Sequence, residues 1–240
     1  MLALIDADIV AWRTATSTTE FQEAVKRANE LVYNILQATN STEFRLILSN
    51  PVNFRKSVYP EYKAQRPPTP DVVKEMKQYL LDQSNAEVAP EGLEADDLMA
   101  ILQTKDTVIC TIDKDLLQVE GWHYQWELRG TSVNGKEWVK EARFFEQTEL
   151  EGTRLFYEQC LKGDASDNVK GVAGIGEGKA KKLLANCNSE IEFVNVCLES
   201  YSSEEEFLMN AQCLYILRSI DDSYLTRYER ITSENNSNET

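Results

Sequence analysis

Acidic side chains recur in this chain at close spacing: Asp6 with Asp8, Glu94 with Asp96 and Asp97, Asp113 with Asp115, and Asp164 with Asp167. Two carboxylates ~4 Å apart repel by roughly 4 kcal/mol at an effective dielectric near 20. Gathering several at one place demands cations. All-oxygen ligation selects hard divalent ions, Mg²⁺ or Mn²⁺, over zinc. Two such ions about 4 Å apart activate water and stabilise the leaving oxygen of a phosphodiester. Histidine catalysis has little to work with, because His123 is the single histidine and no triad signature surrounds it.

The stretch from Gly163-Asp164-Ala165-Ser166-Asp167-Asn168 through Gly178-Lys179-Ala180 combines carboxylates, glycines and cations. In one helical turn Asp164 and Asp167 would share a face. Gly171, Gly174, Gly176 and Gly178 permit tight turns and close backbone approach. A helix starting near Gly178 would aim free N–H groups at an anion, with Lys179, Lys181 and Lys182 close by. Taken alone, it could equally be a solvated acidic turn. It is neither a P-loop, since Ala173 and Ala180 stand where Gly and Ser/Thr are needed, nor an EF-hand, since Val169 and Ile175 occupy the glycine and glutamate positions. Residues 54–66 interleave Arg55, Lys56, Lys63 and Arg66 with Phe54, Tyr59 and Tyr62. Cations meet phosphates and aromatic faces stack on unpaired bases. A solvated loop with anchoring tyrosines is the plainer alternative. Pro67-Pro68-Thr69-Pro70 closes the segment.

Elements must position these groups. Residues 2–5 and 44–48 read as buried strands, ending in Asp6-Ala7-Asp8 and Ser49-Asn50-Pro51. Short strands are also expected at 86–89 and 106–111, the second followed by Ile112-Asp113-Lys114-Asp115, whose two acids would project to one side of an extended segment. Helical periodicity marks 20–38, 71–82, 151–161, 178–185, 189–198 and a long helix over 203–220, and Glu94 opens another. Residues 122–127 and 136–139 read as a strand pair around the Asn134-Gly135 turn. Alternating strands and helices to about residue 145 predict a three-layer α/β domain with a mostly parallel sheet, followed by a helical region. We place the core at 1–150, the helical subdomain at 151–232 and a flexible polar tail at 233–240.

A formal charge of −15 looks wrong for a nucleic-acid binder. Part of it, however, lies in pairs that a divalent ion would neutralise, and Glu204-Glu205-Glu206 and scattered helix surfaces carry much of the rest. Five scattered cysteines form no CxxC pair and fit a reducing cytoplasm. No apolar run approaches a membrane span, and no signal peptide is read at the N-terminus.

Four motifs in order, Asn53-Phe54-Arg55-Lys56 through Tyr62-Lys63-Ala64-Gln65-Arg66, Leu93-Glu94-Ala95-Asp96-Asp97, Asp113-Lys114-Asp115-Leu116, and Gly163-Asp164 through Gly176, resemble the structure-specific 5′ nuclease family. That family includes flap endonucleases, the 5′ nuclease part of bacterial DNA polymerase I and phage 5′–3′ exonucleases, and the closest look is to the T7-like kind. The resemblance implies a PIN-like (Rossmann-like) core and a helix–hairpin–helix (helix-three-turn-helix) subdomain. It implies Mg²⁺- or Mn²⁺-dependent hydrolysis of DNA at 5′ ends, nicks or flaps, with RNA–DNA hybrid as a further substrate. Asp6, Glu94, Asp96 and Asp97 would hold one ion, and Asp113, Asp115, Asp164 and Asp167 would hold or bridge to the second. Lys63 and Arg66 would meet the scissile phosphate, with Asp113 also central to catalysis, and Tyr62 would stack near the 5′ nucleotide. Arg55, Lys56, Lys170, Gly174, Gly176 and Lys179 would touch nucleic acid. Backbone carbonyls of Val169, Val172 and Ile175 would cradle K⁺. Where the family carries an acid after the second strand, this chain has Asn50, a neutral carbonyl ligand. The stretch between Arg66 and Glu94 is short for a full arch. A monomer in the cytoplasm (of the host, if phage-encoded), working with replication proteins, is expected. The alternatives are a PIN-type ribonuclease, which lacks the hairpin, and a non-catalytic DNA-junction binder.

Overall fold

The computed structural model describes residues 1–83 and 86–238. In chain order its elements begin with β1 (Leu2–Asp6), α1 (Ala7–Ala15), α2 (Phe21–Thr39), β2 (Glu43–Leu48), α3 (Arg55–Val58), α4 (Asp71–Gln83), β3 (Ala86–Val88), α5 (Ala95–Leu102) and β4 (Thr107–Cys110). A 3-10 turn (Asp115–Gln118), β5 (Gly121–Gln125), β6 (Leu128–Thr131), β7 (Glu137–Lys140) and β8 (Arg143–Gln147) follow. The remainder is α6 (Glu149–Lys162), β9 (Gly163–Asp164), β10 (Val169–Lys170), α7 (Glu177–Leu184), α8 (Glu190–Ser200), α9 (Glu204–Leu214) and α10 (Tyr224–Asn238). The chain divides into two compact units: Met1–Val52 with Pro68–Gln147, and Asn53–Pro67 with the chain from Thr148 onward.

The first unit is built on a six-stranded sheet of order β3-β2-β1-β4-β5-β8, parallel except for β8. Ala3, Leu4 and Ile5 are fully buried, as expected for a central strand covered on both faces and therefore written without polar alternation. Ala3, Ile5, Leu46, Leu48 and Val108 join one core with Val10 and Ala11 of α1, Ala24, Ala28 and Ile35 of α2, and Val73, Met76 and Leu80 of α4. The alternate residues Leu4, Ile47 and Ile109 are buried on the other side, where α5 packs on β1, β2 and β4. The three-layer α/β expectation holds. Parallel register sets Asp6 beside Ile47 and Ile5 beside Cys110. The loops after β1, β2 and β4 therefore leave from one edge, the edge that carries Asp6, Ser49-Asn50 and residues 111–115.

One strand pairing differs from expectation. β5 pairs antiparallel with β8, not with 136–139. The Asn134-Gly135 turn closes a separate hairpin of β6 and β7. Gly135 sits at φ 80°, its N–H bonded to the Ser132 carbonyl at 2.8 Å.

The second unit packs α6 to α10 around aromatic rings: Phe156, Tyr157, Phe193, Phe207, Tyr215 and Tyr224. Arg227 clasps Glu190 with two bonds of 2.6 and 2.8 Å. The expected helix over 203–220 stops at Leu214, because Tyr215 turns extended at ψ 128°. Its ring packs 5.5 Å from Phe156, and its hydroxyl and the Arg218 N–H both donate to Asp222 Oδ2. The tail expected to be loose from 233 is instead helical through Asn238, while 239–240 lie outside the described residues.

The longer segment of the second unit begins at Thr148, which forms a capping box with Glu151 at the start of α6. The segment 53–67, however, belongs to the helical unit and not to the core in which 1–150 placed it. The buried Arg55 guanidinium donates to the carbonyls of Cys213, at 3.0 Å, and Tyr215, at 2.6 Å. Among the described residues no helix is long and apolar enough to cross a membrane.

Candidate active site

Candidate residues occur in both units. In the first, Asp6 ends β1 and caps α1, accepting from Ile9 N at 3.0 Å. Its other oxygen accepts from the Thr111 hydroxyl at 2.8 Å. That hydroxyl also receives Asp113 N–H at 3.0 Å, and Asp113 Oδ1 receives Asp115 N–H at 2.9 Å. Residues 113–115 are therefore a tight turn leading into the 3-10 turn, not the extended segment expected. Asp6 is 3% exposed. Burial, then the charge of Asp8, and more weakly that of Asp113, push its carboxyl up to about 7, against the bonds from Ile9 and Thr111. A buried carboxylate crowded by two others is what a divalent cation would relieve.

Asp8 has a different occupation. Its Oδ2 accepts Ser49 N–H at 2.8 Å and its Oδ1 pairs with Lys77 Nζ of α4 at 2.5 Å. Ser49 in turn accepts Ala95 N–H at 3.0 Å, tying the end of β2 to the start of α5. Glu94 and Asp96 open α5, both half-buried. Asp97 is fully buried and accepts Glu94 N–H at 3.0 Å. The accepting oxygen serves as half of a capping box at the start of α5. Asn50 Oδ1 accepts Val52 N–H at 2.9 Å and its Nδ2 donates to the Ala89 carbonyl at 3.1 Å. Asp6, Asn50, Glu94, Asp96, Asp97, Asp113 and Asp115 are the candidate ligands of this unit. Among the described residues no three His, Cys, Asp or Glu side chains are arranged to hold an ion.

In the second unit, residues 163–176 link α6 to α7. Gly163 and Gly171 touch backbone to backbone: a Cβ on Gly163 would stand 2.2 Å from Gly171 N. Asp164 is buried in β9 and accepts both the N–H and hydroxyl of Ser166, at 2.7 and 2.6 Å. Asp167 follows in a turn, so the two acids share a loop and not a helical face. Asp167 collects the basic segment. Tyr62 OH donates to it at 2.8 Å, Arg66 Nη2 at 2.6 Å, and Lys63 Nζ stands 3.7 Å away. Lys63 N–H also donates to the Asp167 carbonyl at 2.9 Å, from a residue at φ 55°. Arg66 Nε donates to the Ser166 carbonyl, Gln65 Nε2 to that of Ala165, and Asn168 Nδ2 to that of Glu61. The two cations expected at a phosphate thus stand side by side on an anion.

Two expected nucleic-acid contacts are corrected. Tyr62 and Arg55 are each 2% exposed, so neither presents its side chain to a base or phosphate. Lys56, Lys170, Gly174, Gly176 and Lys179 are exposed. Gly174 lies at φ 78°, and Gly176 caps α7, receiving Lys179 and Ala180 N–H at 3.1 and 3.0 Å. Of the carbonyls expected at K⁺, that of Val172 accepts Ile175 N–H at 3.0 Å. Sequence reasoning missed Lys77, Ser49, Thr111 and Ser166 as partners of the acids. For Thr111 and Ser49 the signal was present, since each is a hydroxyl directly after a strand that ends at the acidic edge.

A sequence model described as "5′-3′ exonuclease, N-terminal resolvase-like domain" matches residues 1–149. The chain is 34% identical over 158 residues to a 5′-3′ exonuclease of Mycoplasmopsis pulmonis, covering 61% of this chain and 51% of that protein. It is 34% identical over 170 residues to DNA polymerase I of Caldicellulosiruptor bescii, covering 65% of this chain but 18% of that protein. Thermostable DNA polymerase I of Thermus aquaticus matches at 31% over 211 residues, 78% of this chain and 24% of that one. The chain therefore spans about half the length of the first of these relatives and about a fifth of the polymerases. In fold it is similar to the flap endonuclease of bacteriophage T5, with TM-score 0.64 at 14% identity over 89% of this chain and 88% of that one. It is also similar to flap endonuclease-1 from Methanococcus jannaschii, with TM-score 0.53 at 14% identity over 92% and 80%. With its acid-edged parallel sheet and the match running through residue 149, the chain belongs to the family of 5′–3′ exonuclease N-terminal, resolvase-like domains.

Proposed function

We propose that this chain is a divalent-metal-dependent 5′ nuclease that hydrolyses phosphodiester bonds of DNA at 5′ ends, nicks or flaps during replication or recombination. The observation that carries the reading is Asp6, a buried carboxyl pushed up to about 7 beside Asp8 and Asp113 on the edge where three parallel strands end. Asp6, Glu94, Asp96, Asp113 and Asp115 are the residues that would hold the metal, with Asp164 serving the second ion. Bound there, Mg²⁺ or Mn²⁺ supplies an activated water and neutralises charge on the phosphodiester.

The chain's own residues do the rest. Thr111 orients Asp6 and Asp113 through one hydroxyl. Lys63 and Arg66 stabilise the negative charge that develops on the scissile phosphate. Asp167 keeps both cations aligned through Tyr62, Arg66 and the Lys63 backbone. Lys170, Lys179 and the exposed start of α7 grip the phosphate backbone of the duplex, and the carbonyls of Val169, Val172 and Ile175 would hold K⁺. An RNA–DNA hybrid carrying a primer is a second substrate of the same site.

The test uses end-labelled single-stranded, nicked, flapped and hybrid substrates with Mg²⁺ or with EDTA. Cleavage is expected only with the metal. Asp113→Asn should slow it by about a hundredfold or more, the scale of losing one preorganised charge contact. Absence of metal-dependent product on all four substrates would leave the chain a nucleic-acid binder.

A further inference from the structure

The β6–β7 hairpin lies outside the machinery just described. Its register sets Leu128 opposite Lys140, Arg129 opposite Val139, Gly130 opposite Trp138 and Thr131 opposite Glu137. Directly opposed residues share a face, and successive residues alternate between faces. Trp138 and Lys140 therefore lie on one face, with Lys136 in step two residues earlier. Arg129, Val139 and Glu137 lie on the other, joined by Glu127, which Arg129 bonds, and Glu141, whose charge acts on Arg129. Charge is sorted by face: two lysines flank the indole, and the acids stand behind it.

The indole itself is held as a platform. Trp138 is 45% exposed, yet it lies over Gly130, where a Cβ would come within 2.5 Å of Trp138 Cζ2. One side of the ring rests on bare strand backbone, and its exposed surface faces water. Lys136 and Lys140 stand about 13 Å apart along the strand at ~3.3 Å per residue, leaving room for a flat group between them. In a chain of net charge −15, an exposed face bearing two cations and no acid runs against the general composition.

We propose that this face binds single-stranded nucleic acid, with a base stacked on Trp138 and backbone phosphates on Lys136 and Lys140. A duplex would offer the lysines its phosphates but no open base for the indole. An acidic polypeptide would likewise use the cations and leave the ring idle.

The proposal is tested on the full chain by the anisotropy of a fluorescein-labelled oligothymidylate in EDTA, where no metal-dependent hydrolysis contributes. Trp138→Leu keeps an apolar cover over Gly130 but removes the aromatic face, and should weaken binding by about fivefold to a hundredfold. Trp138→Phe should stay within about threefold of the parent, since it keeps a face on which a base can stack. Removing two phosphate contacts with Lys136→Gln and Lys140→Gln together should flatten the slope of log K against log salt by about 1.4. Glu137→Gln, on the opposite face, should leave that slope unchanged. Unaltered affinity in Trp138→Leu would overturn the proposal, as would equal losses in the Leu and Phe variants. Equally effective competition by polyglutamate and by unlabelled oligothymidylate would overturn it too, showing a site for acidic protein. Because nothing is cleaved in this assay, its failure is separate from failure of the nuclease reading.

Discussion

At the scale of the residue, the same side-chain types serve two ends, and burial separates them. Asp6 and Asp97 are both buried acids at helix starts, Asp6 accepting Ile9 N–H and Asp97 accepting Glu94 N–H, and only for Asp6 do neighbouring carboxylates push the carboxyl up. Spacing alone could not tell them apart, because an acid two or three residues into a helix suits a cap as well as a metal. Arg55 was misread for a related reason. A basic residue in a basic stretch reads as a phosphate contact, and only the distant carbonyls of Cys213 and Tyr215 reveal it as a core staple. Arg55→Met should therefore cost about 2–3 kcal/mol of stability in urea unfolding, because it strips buried carbonyls of a charged donor. Lys56→Met, one exposed residue along, should change stability by less than about 0.5 kcal/mol.

At the scale of the element, periodicity found most helices and the parallel strands. It failed where tertiary contacts overrode it. α9 ends at Leu214 because Tyr215 has an aromatic pocket and a guanidinium to satisfy, neither of which is written locally. β8 was missed because its residues are mostly exposed and so lack the apolar run that marks β1. The glycines of 163–176 were legible as turn formers, but which of them matters was not. Gly163 sits at φ 73° and ψ −179°, a region that in practice only glycine reaches. A Cβ there would also lie 2.5 Å from the Val169 carbonyl. Gly163→Ala should lower stability by more than about 2 kcal/mol and disorder the loop. Gly176→Ala meets nothing within 4 Å and should melt within a few degrees of the parent. Thermal denaturation of the two variants side by side checks both.

At the scale of the whole molecule, a net charge of −15 leaves room for basic surface, because charge is sorted locally. The lone histidine is a separate matter. His123 is buried, bonds the Val119 carbonyl at 2.8 Å and stacks on Phe145. Burial holds its pKa below the ordinary 6.5, against the opposing pull of the Val119 bond. With the folded value depressed, its contribution to stability is complete above about 6.5 and is lost as pH falls toward and through the folded value. The urea midpoint should drop as pH is lowered below about 6.5, and the difference between the parent and His123→Gln should shrink over the same interval. A constant difference at every pH would show that the ring does not titrate on unfolding.

The segment 53–67 sits, in sequence, inside a unit to which it does not belong in space. No single scissor point in the gene yields either half intact. A product stopped at Gln147 would carry Lys63 and Arg66 without Asp167, and one begun at Thr148 would carry Asp167 without its tyrosine and its cations. Any crossover between residues 67 and 166 would part Lys63 and Arg66 from the Asp167 they pair with.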